Sequence, residues 1–203
     1  MRLAFASLLL AAVPAFAHDA RLEKVSGPVS YLIEGGSRWR TAKGGEELLF
    51  GDAVRVGKGG VAHLTLGARA AVLLREETTM VLKGSAADTL LSFRFGEFLI
   101  GLRYPLGSRE RFRVRTPAAM GAVRGTLFWG KSDKDTKATT YAGFGHTVAV
   151  TAKGKTSLVA PGKTVTVAFG EAPSDPAPSA LTLDYAKKFA VDGDLQGLEK
   201  LAE

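Results

Sequence analysis

From Arg21 to Phe169 the chain repeats one small pattern, a short run of alternating apolar and polar side chains closed by turn-forming residues. Val29, Tyr31 and Ile33 alternate with Ser30, Leu32 and Glu34 before Gly35-Gly36. Val54 and Val56 flank Arg55 ahead of Gly59-Gly60, and Ala62, Leu64 and Leu66 then share one face. Thr147 to Thr151 and Leu158-Val159 lie on either side of Lys153-Gly154, and Pro161-Gly162 turns into Val165, Val167 and Phe169. A period of two is the period of a strand with one covered face. Turn signals about ten residues apart leave no room for long helices and predict many short strands. The expected fold is all-β, with short antiparallel strands in a two-layer sandwich or a solenoid-like roll. The successive runs are too dissimilar to form a sequence repeat.

Several stretches carry finer expectations. Ala70 to Leu74 is continuously apolar, as in a strand covered on both faces. Leu91, Phe93 and Phe95 share a face, and Gly96-Glu97 has the Gly-X form of a two-residue hairpin turn from which Phe98 to Leu102 returns. Phe93, Phe95, Phe98 and Phe112 are expected in the core, where alternating strand aromatics usually point. Gly51-Asp52 is a turn dipeptide, and His63 alternates with apolar residues on a face expected to be exposed.

The ends read differently. Residues 1–17 form a signal peptide: Arg2, an apolar run from Leu3 to Val13, and the small-residue site Ala15-Phe16-Ala17. No cysteine follows the run, so lipid attachment there is excluded and the product is expected to be periplasmic or secreted. Residues 18–169 form the β-domain, and 170–179, with Pro173, Pro176 and Pro178, a linker. In 180–203 the period changes: Leu181, Tyr185 and Phe189 stand four apart, with Ser179 as the expected N-cap. Gly193 ends that helix, and Asp194 caps a second bearing Leu195, Leu198 and Leu201. So short a helical tail is marginal alone and is expected to dock on the domain.

The chemistry-bearing residues argue against an enzyme. There is no cysteine, and His18, His63 and His146 have no metal-ligand spacing. Asp133-Lys134-Asp135 lacks the later Gly and Glu of a calcium loop. Gly154-Lys155-Thr156 and Gly162-Lys163-Thr164 resemble the end of a phosphate-binding loop, but Ala149 and Ser157 stand where its first glycine belongs. Glu76-Glu77 point to opposite faces of a strand, and no G-x-S-x-G occurs. The chain is read as non-enzymatic, with no metal and no cofactor.

Two arginine features stand out in a chain of formal charge +7. Export argues against nucleic acid as the reason for that charge. Arg109, Arg111, Arg113 and Arg115 alternate with Glu110, Phe112, Val114 and Thr116, so a strand would set four guanidiniums on one face. That stripe suits an anion, a glycan or a lipid head group, or else carboxylates on a neighbouring strand. The second feature is Arg124, beside Gly125 in Thr116 to Phe128, which is either a binding arginine or, the preferred reading, a buried internal clamp satisfying carbonyls at a sheet corner.

Thr116, Pro117, Ala119, Gly125, Thr126 and Phe128 follow the pattern TP-x-A-x-x-x-x-x-GT-x-F. This resembles the C-terminal signature of the FecR domain, the periplasmic part of FecR-type sigma-factor regulators. Upstream, Gly27-Pro28-Val29, Trp39, Gly45, Leu48, Gly51-Asp52, Val54, Val56, Ala62, Leu64 and Leu66 agree in order and spacing, so the likeness runs from about 25 to 170. It implies an all-β sensing or binding domain that works by contact with an envelope protein. Thr116, Pro117, Arg124, Gly125, Thr126, Gly51 and Asp52 are its motif residues, in structural roles. A cleavable leader replaces the cytoplasmic helical segment and membrane span of such regulators. The expectation carried over is therefore the fold and a binding role.

Overall fold

In the computed structural model the described residues are 19–103, 105–125 and 127–192, with no side chain described for 183 or 189–192. The leader, Thr126, Gly193 and the helix expected from Asp194 lie outside them. The first half of the chain forms β1 (Ala20–Ser26), β2 (Val29–Leu32), β3 (Arg40–Thr41), β4 (Glu47–Leu48), β5 (Ala53–Val56), β6 (Val61–Leu66), β7 (Ala70–Leu74) and β8 (Thr78–Gly84). The long β9 (Asp88–Leu102) follows, then β10 (Arg111–Arg115), β11 (Met120–Val123), β12 (Leu127–Ser132) and β13 (Thr139–Gly143). The last strands are β14 (Val148–Ala152), β15 (Lys155–Val159), β16 (Lys163–Val167) and β17 (Ala177–Pro178), ahead of one helix, α1 (Leu183–Asp192).

The strands form two layers. Sheet I runs β4-β1-β6-β7-β9-β12-β13-β16-β17. Sheet II runs β3-β2-β5-β8-β9-β10-β11-β14-β15. Their inner faces meet in one core that includes Leu64, Val72 and Phe128 from sheet I and Val54, Leu91 and Phe112 from sheet II. β7 is buried along its whole length: Val72 and Leu74 point into this core, Ala71 and Leu73 into a second cluster on the far side.

β9 belongs to both layers, and here the hairpin expectation is corrected. Gly96-Glu97 does not reverse the chain. Residues up to Phe95 pair with β8 in sheet II, and Phe98 to Leu102 pair with β7 and β12 in sheet I. The glycine makes a corner: its φ is 108°, and a Cβ there would land on Thr78. Thr78 fixes the bend, its Oγ1 accepting the Glu97 N–H (3.1 Å) and facing the Glu97 carbonyl (3.3 Å). Phe93 and Phe98 stack across the corner at 4.0 Å. The expectation for Phe95 is also corrected. It is half-buried, with the Lys134 ammonium 5.8 Å from its ring.

The expectation of antiparallel strands holds for the other ladders and fails for β9 with β10, which is parallel. The second half of β9 carries the chain away in sheet I. Residues 103–110 must bring it back before β10 can lie beside the start of β9, with Arg111 opposite Asp88.

The outer face of sheet I is apolar, with Leu73, Leu99, Leu127, Trp129, Ala142 and Phe144 in one cluster. The tail covers it: Ala186 is fully buried in this cluster and Leu181 packs against it. Tyr185 O–H donates to Glu97 Oε1 (2.8 Å), which also accepts the Trp129 indole N–H (2.8 Å). The N-cap is Thr182, whose Oγ1 accepts the Tyr185 N–H (3.2 Å), and not Ser179, whose Oγ accepts from Leu181. Ser179 sits too early because Ala177–Pro178 are still held to β16. Residues 170–179 run as a strap over one end of the sandwich. Ser174 exchanges bonds with Thr166 of β16 and takes the Ser157 hydroxyl of β15 on its carbonyl (2.8 Å). Among the described residues no helix is long and apolar enough to cross a membrane.

Candidate functional site

The arginine stripe lies on the outer face of sheet II with three members. Phe112 and Val114 point into the core, so Arg111, Arg113 and Arg115 point out. Arg109 falls in the turn before β10 and leaves the row, which corrects the four-residue stripe. The parallel neighbour supplies a carboxylate: Arg113 Nη2 donates to Asp88 Oδ1 (2.7 Å) and Oδ2 (2.8 Å). Glu110 is engaged by Arg69 and by the Gly107 N–H. The guanidiniums of Arg111 and Arg115 have no hydrogen bond or ion pair among the described residues.

Arg124 is exposed in the bend between β11 and β12, with no side-chain partner among the described residues. The buried clamp is therefore corrected. The bend at Gly125 (φ 133°) throws the side chain outward, and the Arg124 main-chain carbonyl does the tying by accepting the Leu106 N–H (3.1 Å). Arg124 joins Arg111 and Arg113 in lining an open groove of about 490 Å³. Its floor is Ala122 and Ala149, above the buried Phe112 and Val123, and its far wall is Leu158, 58% exposed. Sequence reasoning missed Ala122, Ala149 and Leu158. The signal was present: Lys153 and Gly154 both have positive φ, as a two-residue hairpin turn requires. Counting back from that turn sets Leu158 opposite Ala149 on the outer face.

The other motif residues build the frame. Thr116 is buried; it closes the β10–β11 turn by exchanging bonds with Ala119, and its Oγ1 meets Tyr141 O–H (3.3 Å) and Thr139 Oγ1 (2.9 Å). Burial drives the Tyr141 phenol well above its usual range. Pro117 follows Thr116 in the exposed turn, where no N–H is required. Asp52, also buried, accepts the main-chain N–H groups of Glu34 (2.9 Å) and Leu49 (3.0 Å), pinning the turn before β5 to the end of β2. Gly51 precedes it at φ 107°.

Two further places hold polar groups. Glu76, Glu77, Glu97, Lys131, Asp133 and Lys134 surround a depression of about 400 Å³, and Lys134 pairs with Glu77 at 3.9 Å. Among the described residues no group of three or more His, Asp or Glu side chains could hold a metal. His63 is 7% exposed, which corrects its expected exposure, and among the described residues neither ring nitrogen has a hydrogen-bond partner. Burial pushes its pKa down to about 4, with Glu23 opposing and Lys24 and Arg103 adding to the effect.

Comparison with known proteins agrees with this frame. The family model described as "FecR protein" matches residues 52–144, somewhat under half of the chain, from the buried Asp52 to Phe144. Two crystal structures of a "putative anti-sigma factor" from Parabacteroides distasonis ATCC 8503 share the fold, each with TM-score 0.56 and 20% identity over 71% of this chain. The match spans 64% and 65% of those chains, slightly less than two thirds of their length. No curated protein matches. The ordered motif residues and their structural roles agree with that match: residues 52–144 of this chain are similar to the family described as "FecR protein".

Proposed function

We propose that this chain is a regulatory sensing module of the cell envelope that acts by contact with a protein partner. The observation that carries the reading is the FecR match over 52–144, on a fold shared with proteins described as anti-sigma factors. FecR-type domains are regulatory, and the motif residues here serve as framework, which leaves surface contact as the way to act. The apolar run ending in Ala15-Phe16-Ala17 supports export.

The test is to express the full chain with a C-terminal tag, recover the product from the envelope fraction, and cross-link it there. The expected product starts at His18 by intact mass and gives a discrete protein adduct that survives high salt, as a partly apolar interface should. Retention of Met1 in the folded product would refute export. Absence of any protein adduct would refute contact.

A further inference from the structure

We infer that the groove on the outer face of sheet II is where the partner docks, and that it takes a short extended stretch of polypeptide carrying a carboxylate at one end and an apolar side chain at the other. This rests on the protein-contact reading above and names its surface. The register that pairs Phe112 with Val123 brings Arg111 and Arg124 next to each other where the β10–β11 ladder ends. Both line the groove, and neither guanidinium has a partner among the described residues. Like charges facing each other across a ladder repel. A carboxylate set between two guanidinium forks turns that repulsion into two charge-assisted hydrogen bonds.

The floor fixes the rest of the occupant. Arg113, Ala122, Ala149 and Leu158 follow one another across β10, β11, β14 and β15. Three inter-strand steps of about 4.8 Å separate Leu158 from the arginine wall, about 14 Å in all. An extended chain of about four residues has that reach. Two alanines leave the trough shallow and apolar, and the exposed Leu158 gives one end an apolar contact. A polyanion fits less well. Asp88 already holds Arg113, Arg69 holds Glu110, and an exposed leucine offers nothing to a phosphate or sulfate tract.

Two measurements on the full chain test this. In the first, a photo-crosslinking residue replaces Ala122 in the groove or, as a control, Thr140 on the outer face of sheet I. The expected adduct forms from position 122 and is lost when Arg111→Gln and Arg124→Gln are added, with the melting temperature unchanged. In the second, labelled hexapeptides with one leucine and one aspartate or glutamate at varied spacing are titrated by fluorescence anisotropy. The expected winners carry the pair about four residues apart and bind about tenfold more weakly to either arginine variant or to Leu158→Ser.

Adducts from position 140 and none from 122 leave protein contact standing and overturn this surface. No adduct from either position, with no hexapeptide bound, overturns the docking proposal; the tagged-chain cross-linking then decides protein contact separately. Heparin binding without hexapeptide binding overturns the polypeptide assignment.

Discussion

His63 is a buried imidazole with no hydrogen-bond partner among the described residues, and that has a pH consequence. Its neighbours on the strands either side are Lys24 and Leu73, with Glu23 and Arg103 also acting on it. The unfolded chain takes up a proton on this residue near pH 6.5, and the folded chain refuses it until about 4. Its contribution to stability is therefore complete above pH 6.5 and is lost as the pH falls from 6.5 to about 4, by at most on the order of 3 kcal/mol. His63→Leu should remove that slope from a denaturation series between pH 4 and 7; an unchanged slope would show that carboxylates carry it. Gly96 gives a second prediction at this scale. Gly96→Ala puts a methyl group onto Thr78 at a φ of 108°, and should cost at least about 2 kcal/mol in equilibrium unfolding. Arg124→Ala should be nearly neutral in the same assay, because its guanidinium is exposed and only its main chain is used.

The tail is the element whose sequence and structure agree on kind and differ in detail. α1 has ten residues, too few for an isolated helix to be stable, so it needs the sheet beneath it. Its attachment is Ala186 and Leu181 on the apolar face and Tyr185 on Glu97. The Tyr185 phenol is pushed up to about 12 by partial burial and by the carboxylate it donates to, so that bond persists through neutral pH. Truncation after Ser179 uncovers Leu73, Leu99 and Trp129, and should lower the melting temperature or produce a self-associated species. Calorimetry and light scattering check this; an equally stable monomer would show that the tail is not part of the core. The period of Leu181 and Tyr185 announced a helix. It could not announce the docking face, which is assembled from positions more than a hundred residues apart in the chain, from Ala71 to Ala186.

At the scale of the whole molecule, two features bind the sheets into one body. β9 passes from sheet II to sheet I, and the strap at 170–179 ties β15 to β16. Neither sheet can open without breaking a strand that the other shares. The protein should therefore unfold in one transition, with tryptophan fluorescence and far-UV circular dichroism giving the same urea midpoint. Two separated midpoints would show that the layers melt independently.

The sequence alone determined the strand class, most of the turns, the fully covered strand at Ala70–Leu74 and the helical change after Ser179. These follow from side-chain period and from turn residues, which act over a few neighbours. The tertiary structure decided the rest. Gly96-Glu97 has the local form of a hairpin, yet β9 continues because its two halves find better partners in different layers. Arg124 has the local form of a clamp, yet the bend at Gly125 turns it to solvent. The groove joins residues of β10, β11, β14 and β15 in one row, and that row exists only once the strand register is set. Register is a property of pairs of distant segments, and a period read along one segment carries no information about which partner it will meet.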